Sequence, residues 1–333
     1  MKMLRRAQAL AVGALYISMI SGFAHAETLT VPSDRTSKQI LQSNFGGIAS
    51  MKPCKGNAPI IPALKNPPTR KFGFAGAAIG MPGASAGVPL DQLSQFLQLG
   101  LTQSYNKTYE QGYSILSTNI TQARTAFGAL PTGLRLALQS ASEASGGRSY
   151  ETAYKVLHEA MKEVANNPGE FANDPRTAYA AYLRLGRLST YQKSYEEGYA
   201  ILVKYLSNLS SQGADLIGTQ ELRTALTATI NSSGGLTYQA AWETLEAGCK
   251  VMETCPTGPL SSFYFRMATT CAANKSYEHG YKIVMAFIDA SLASGLLQPF
   301  ERLSLDTSRQ ASGGKTYQAA WEILRDACNA LSH

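Results

Sequence analysis

Ser194-Tyr195-Glu196-Glu197-Gly198-Tyr199-Ala200-Ile201-Leu202 is the third of six copies of one short pattern. The sixth copy is Thr316-Tyr317-Gln318-Ala319-Ala320-Trp321-Glu322-Ile323-Leu324. The copies are headed by Tyr109, Tyr150, Tyr195, Tyr238, Tyr277 and Tyr317, so the tyrosines are spaced by 41, 45, 43, 39 and 40 residues. A period in this range marks a stack of helical repeats rather than one irregular core.

Numbered from its tyrosine, each copy reads as the start of an α-helix. Apolar or sulfur-bearing residues recur at +4, +7, +11 and mostly +14. The +11 set is Ile120, Met161, Leu206, Cys249, Ile288 and Cys328. Steps of three and four draw one apolar stripe down a helix. On this reading the tyrosines at 0 and the aromatics at +4 belong to the core. Position +3 is always Gly or Ala, and the glycines (Gly112, Gly198, Gly280) predict the close approach of a neighbouring helix. The Ser or Thr before each tyrosine suits an N-cap, and the Glu or Gln after it suits the first turn.

A second helix precedes each tyrosine-headed one. Pro89, Pro131, Pro175, Pro259 and Pro299 stand 18 to 20 residues before their tyrosines, with Thr219 in the fourth unit; proline is at home in a first helical turn. The units alternate. Even units carry Gly146-Gly147, Gly234-Gly235 and Gly313-Gly314 between the two helices, where a left-handed C-cap fits. The fold expected is therefore all-α: a tandem array of six αα-hairpins, or three paired repeats, over residues 89–333. It would form an α-solenoid or a closed twelve-helix ring. A lone hairpin of this size cannot bury enough surface to fold, but stacked neighbours can.

The N-terminal part differs. Residues 1–26 have the form of a secretory signal: Lys2, Arg5 and Arg6, an apolar run, then Ala24-His25-Ala26. Bacterial export to the periplasm or the medium is expected. Residues 27–88 are rich in Pro and Gly and read as an irregular basic arm, with seven Lys or Arg against Glu27 and Asp34. The whole chain has a net charge of +7, which the signal and this arm supply. Such an arm could meet an anionic surface. The near-neutral repeats give no reason to expect nucleic acid.

The chemistry-bearing residues are few. There is no His-Glu-x-x-His, Cys-x-x-Cys, phosphate-binding loop or Gly-x-Ser-x-Gly, so neither a metal nor a cofactor is expected. Arg135, Arg223 and Arg302 recur 15 residues before the even tyrosines. They would make an anion-binding set if they converged. A basic residue two before the tyrosine (Lys107, Arg148, Lys193, Lys275, Lys315) suggests a positive rim, neutralised locally by the Glu at +1. The longest connections, 166–174 and 210–218, hold Glu170, Asp174 and Asp215, the carboxylates a site would draw on. Of the five cysteines, Cys249 and Cys328 occupy core positions and are expected as free thiols; Cys54 and Cys255 are the pair free to bridge. The function this supports is an exported binding or scaffold module without catalysis, for a protein or envelope polymer. The alternatives are a polysaccharide-active enzyme on an (α/α)₆ ring, needing an acid and a base carboxylate from the loops, and a carrier of an apolar ligand.

Overall fold

The computed structural model describes residues 89–254 and 260–332. The expected signal, the basic arm and both Cys54 and Cys255 lie outside them. The described residues are helical, with no strand among them. Six helices begin at the motif tyrosines: α2 (Tyr109–Ala126), α4 (Tyr150–Asn166), α7 (Tyr195–Gln212), α10 (Tyr238–Glu253), α12 (Tyr277–Ser294) and α14 (Tyr317–Ala330). Six others precede them: α1 (Leu90–Ser104), α3 (Thr132–Ser145), α6 (Pro175–Thr190), α9 (Gln220–Ser232), α11 (Leu260–Ala272) and α13 (Pro299–Ser312).

Two short helices were not expected, α5 (Pro168–Ala172) and α8 (Ala214–Ile217). Both lie in connections that read as irregular. Each is pinned by apolar side chains that periodicity over four or five residues cannot reveal: Phe171 in α5, and Leu216 and Ile217 in α8, all buried.

The starts of the tyrosine-headed helices follow from sequence. Thr108, Ser149, Ser194, Thr237, Ser276 and Thr316 are the N-caps, and each side chain accepts the backbone N–H three residues on. The turn before each cap holds one left-handed residue, three before the tyrosine. In even units it is Gly147, Gly235 and Gly314, with φ of 72°, 71° and 70°. In odd units it is Asn106, Gln192 and Asn274, with φ of 55°, 56° and 61°. The prolines divide. Pro175 and Pro299 occupy the first turn, whereas Pro89 and Pro131 are the N-cap residues themselves.

Packing follows the alternation. Each hairpin's own helices pack together, α1 with α2 and so on to α13 with α14. Tyrosine-headed helices pack in pairs, α2 on α4, α7 on α10 and α12 on α14. The first helix of each odd unit also lies on the second helix of the next unit: α1 on α4, α6 on α10, α11 on α14. Pairs are joined to the following pair by α3 on α7 and α9 on α12.

The core is built from the stripe. All six residues at +7 and all six at +11 are buried, as are the Gly and Ala at +3. Where α3, α6 and α7 meet, a buried polar cluster replaces part of the apolar core. Ser140 and Tyr182 hydroxyls are 2.6 Å apart, Tyr182 donates to the Tyr205 carbonyl at 2.8 Å, and Asn208 donates to Ser140 at 3.0 Å. Each group there has a partner, as buried polar atoms require. Of the Asn-x-Ser/Thr sequons, Asn119 and Asn208 are buried side chains that hydrogen-bond inside the fold and present nothing to a glycosylating enzyme.

Candidate binding edge

The tyrosine at 0 and the aromatic at +4 do not share one environment. The +4 rings are half-buried, while the six tyrosines at 0 are between 36% and 52% exposed. This corrects the expectation that both belong to the core. Their angular position on the stripe is right; their axial position decides otherwise. Side chains on a helix lean toward its N-terminus, so the ring of a first residue overhangs the end of the helix.

Each pair of tyrosine-headed helices exchanges these rings reciprocally. Tyr109 meets Tyr154 at 5.8 Å between centroids, and Tyr113 meets Tyr150 at 5.9 Å. The same exchange joins Tyr195 to Trp242 (5.6 Å) and Tyr199 to Tyr238 (5.9 Å). It recurs as Tyr277 with Trp321 (5.6 Å) and Tyr281 with Tyr317 (5.7 Å). All six contacts are tilted or edge-on, the arrangement favoured by ring quadrupoles. The odd-unit glycine makes the exchange possible. A Cβ on Gly112 would stand 2.7 Å from the Tyr154 ring; on Gly198, 3.0 Å from Trp242; on Gly280, 2.6 Å from Trp321. So the neighbour that demands the glycine is an aromatic side chain of the next unit.

Charges frame the rings. Glu151 pairs with Lys155 at 2.5 Å and Glu278 with Lys282 at 2.7 Å, both one turn apart. Of the glutamates at +1, Glu151 and Glu278 thus each pair with a lysine at +5. Lys155 and Lys282 point back along the exposed edge, with Lys155 Nζ 6.0 Å from the Tyr109 ring centre. Two of the basic residues at −2 have other partners. Arg148 Nε donates to the Ala144 carbonyl at 2.7 Å, and Lys275, its side chain almost fully buried, pairs with Glu243 of the preceding unit. Arg325 lies over Trp321 at 4.5 Å. The first pair of units also holds a recess of about 310 Å³ lined by Glu110, Tyr113, Ser114, Ser117, Thr118 and Tyr150.

The other residues singled out are scattered. Arg135 donates to Gln212 at 3.3 Å, while Arg223 and Arg302 are exposed on α9 and α13. Glu170 pairs with Arg184 at 2.5 Å, and Arg184 also holds Glu163 at 2.6 Å. Asp174 caps α6, accepting from the Thr177 backbone at 2.8 Å, and Asp215 accepts from Thr132 at 3.4 Å. The loop carboxylates thus have structural partners and do not face one another as a pair. Arg187 binds Glu253 through both carboxylate oxygens, at 2.6 and 2.7 Å. Burial nonetheless raises the Glu253 carboxyl above its ordinary range. His158 stacks at 5.5 Å on Tyr154, and burial lowers its imidazole pKa. Among the described residues no group of His, Cys, Asp or Glu could hold a metal, and no helix is long and apolar enough to cross a membrane.

What sequence reasoning missed is the reciprocity. The alternation of Gly with Ala at +3 and the placing of both tryptophans at +4 of even units were visible, and together they mark which partner donates the large ring. No family model, curated protein or solved structure matches the chain.

Proposed function

We propose that this chain is an exported, non-catalytic binding module that engages another macromolecule through the tyrosine-bearing edge of its repeats. The observation that carries the reading is the recurrence of half-exposed tyrosines at the same end of all six tyrosine-headed helices. Aromatic rings braced by other rings offer rigid contact area at little entropic cost. Lysine and glutamate beside them supply a polar rim. The same form three times over suits a long partner better than a small molecule.

An open array of the six hairpins is the arrangement we propose. It is supported by helices that pack on sequence neighbours and by bare apolar side chains on α13. The enzyme alternative would need two opposed carboxylates, and the loop carboxylates available for that role are tied to Arg184, Thr132 and the α6 backbone. Export to the periplasm or medium rests on the form of residues 1–26, and the basic arm would add attraction to anionic surfaces.

The test is capture from the native envelope and culture medium with the wild-type chain beside a Tyr150→Ser, Tyr238→Ser, Tyr317→Ser variant. The expected result is a defined partner retained by the wild type and reduced at least tenfold with the variant, at unchanged circular dichroism. Equal capture by both would overturn the edge as the binding surface.

A further inference from the structure

The two internal joints, α3 on α7 and α9 on α12, show what covers the first helix of an even unit: the tyrosine-headed helix of the odd unit that follows. The third such helix, α13, has the corresponding positions bare. Fourteen residues before the tyrosine, Leu136 is fully buried and Thr224 half-buried, whereas Leu303 is 69% exposed. Ten before it, Ser140 and Ala228 are fully buried, whereas Thr307 is exposed. Phe300, beside them, is 62% exposed. A helix side facing water suits polar groups there; α13 keeps a leucine.

The complementary face is bare too. In α7 the residue at +13, Asn208, is buried against α3, and its α12 counterpart, Ala290, is half-buried. In α2 the residue at +13, Gln122, is exposed, together with Thr118 at +9. The covering face of an odd helix need not be apolar. In the α3–α7 joint Asn208 donates to Ser140 at 3.0 Å and to Glu143 at 3.1 Å, and Lys204 at +9 pairs with Glu143 at 3.7 Å. Leu136 Cδ1 there lies beside the α7 C-cap, 3.3 Å from where a Gly213 Cβ would be.

We infer that two copies of this chain associate head to tail, α13 of one receiving α2 of the next, so that the internal joint is repeated between molecules. Thr307 would meet the Gln122 amide as Ser140 meets Asn208. Gln310 would meet Thr118 as Glu143 meets Lys204. Leu303 would lie on Phe127, the C-cap of α2, as Leu136 lies beside Gly213. The contact is heterologous, so each copy keeps one face free for a further copy.

The experiment is sedimentation velocity on the full chain, alone and as two variants of equal charge, Leu303→Arg and Gln122→Arg. Both sites are exposed, so circular dichroism and the melting temperature should stay at wild-type values. The expected result has three parts: wild type whose mean mass rises with concentration, each variant monomeric alone, and a one-to-one dimer when the variants are mixed. The mixture restores one joint because each variant keeps the face the other has lost. Wild type that stays monomeric up to about 100 µM, where even a micromolar contact would be filled, would overturn the inference. So would association that persists in either variant alone, or a mixture that stays monomeric.

Discussion

The left-handed residue of each A–B turn shows how one backbone demand is met by different side chains. Glycine adopts this conformation freely, asparagine at modest cost, and Gln192 with neither advantage. Gln192→Gly is therefore expected to stabilise the fold by about 0.5–1 kcal/mol, the left-handed cost outweighing the added freedom of the unfolded chain. Gly147→Ala should cost about 1–2 kcal/mol. Urea unfolding of the two variants checks both signs. The glycine turns were legible in sequence; the equivalent odd turns were not, because Asn and Gln do not announce a positive φ. Cys249 and Cys328 were read as buried free thiols from their place on the stripe; Cys271 lies on a first helix, and Cys54 and Cys255 lie outside the described residues. Cys249, Cys271 and Cys328 are free and buried, and burial pushes the Cys271 and Cys328 thiols up to about 12. None of these three should react with a thiol reagent at neutral pH in the native chain, and all should react once it is unfolded. Rapid native labelling at any of them would mean the stripe is misplaced.

At the scale of helices, the paired crossings α2–α4, α7–α10 and α12–α14 depend on a glycine under an aromatic ring. Adding a methyl group there works in two directions. Alanine favours the helix by about 1 kcal/mol, while crowding a packed ring costs about 1–3 kcal/mol. The clearances of 2.6 Å at Gly280 and 3.0 Å at Gly198 set the order. Gly280→Ala should lower stability by about 1 kcal/mol, and Gly198→Ala should be close to neutral; the reverse order would refute the ring as the cause. The start of α6 carries a pH dependence. The Thr177 backbone N–H, with its hydroxyl, holds the Asp174 carboxyl below the ordinary carboxylate range. A depressed carboxyl contributes stability above its unfolded pKa and loses it as pH falls through the folded value. Asp174→Ala should therefore cost about 1 kcal/mol at neutral pH, and its difference from wild type should shrink as the solution is acidified below the ordinary aspartate pKa. Helix starts were legible because each has a chemical marker before it. The short helices α5 and α8 were not, since one turn has no period, and the buried Phe171, Leu216 and Ile217 declare themselves only through tertiary packing.

At the scale of the molecule, the six-fold pattern disclosed the all-helical character of the described residues. The binding edge was only half legible. Spacing places Tyr109, Tyr150, Tyr195, Tyr238, Tyr277 and Tyr317 on the apolar stripe by angle, but a helical wheel carries no axial coordinate, so it cannot show that a first residue overhangs the end. The recurring Arg135, Arg223 and Arg302 carry the converse lesson: regular spacing in sequence put them on like helices, yet Arg135 engages Gln212 while the other two are exposed. The proposed binding surface is the tyrosine end of the repeats. The most direct measurement places a photo-crosslinking residue singly at positions 150, 238 and 317, and at positions 162 and 250 toward the opposite ends of α4 and α10. The chain is irradiated in its native envelope or medium and the adducts are identified by mass spectrometry. The expected result is one shared partner crosslinked from positions 150, 238 and 317 and little or nothing from 162 and 250; adducts to that partner mainly from 162 and 250 would contradict the tyrosine end as the binding surface.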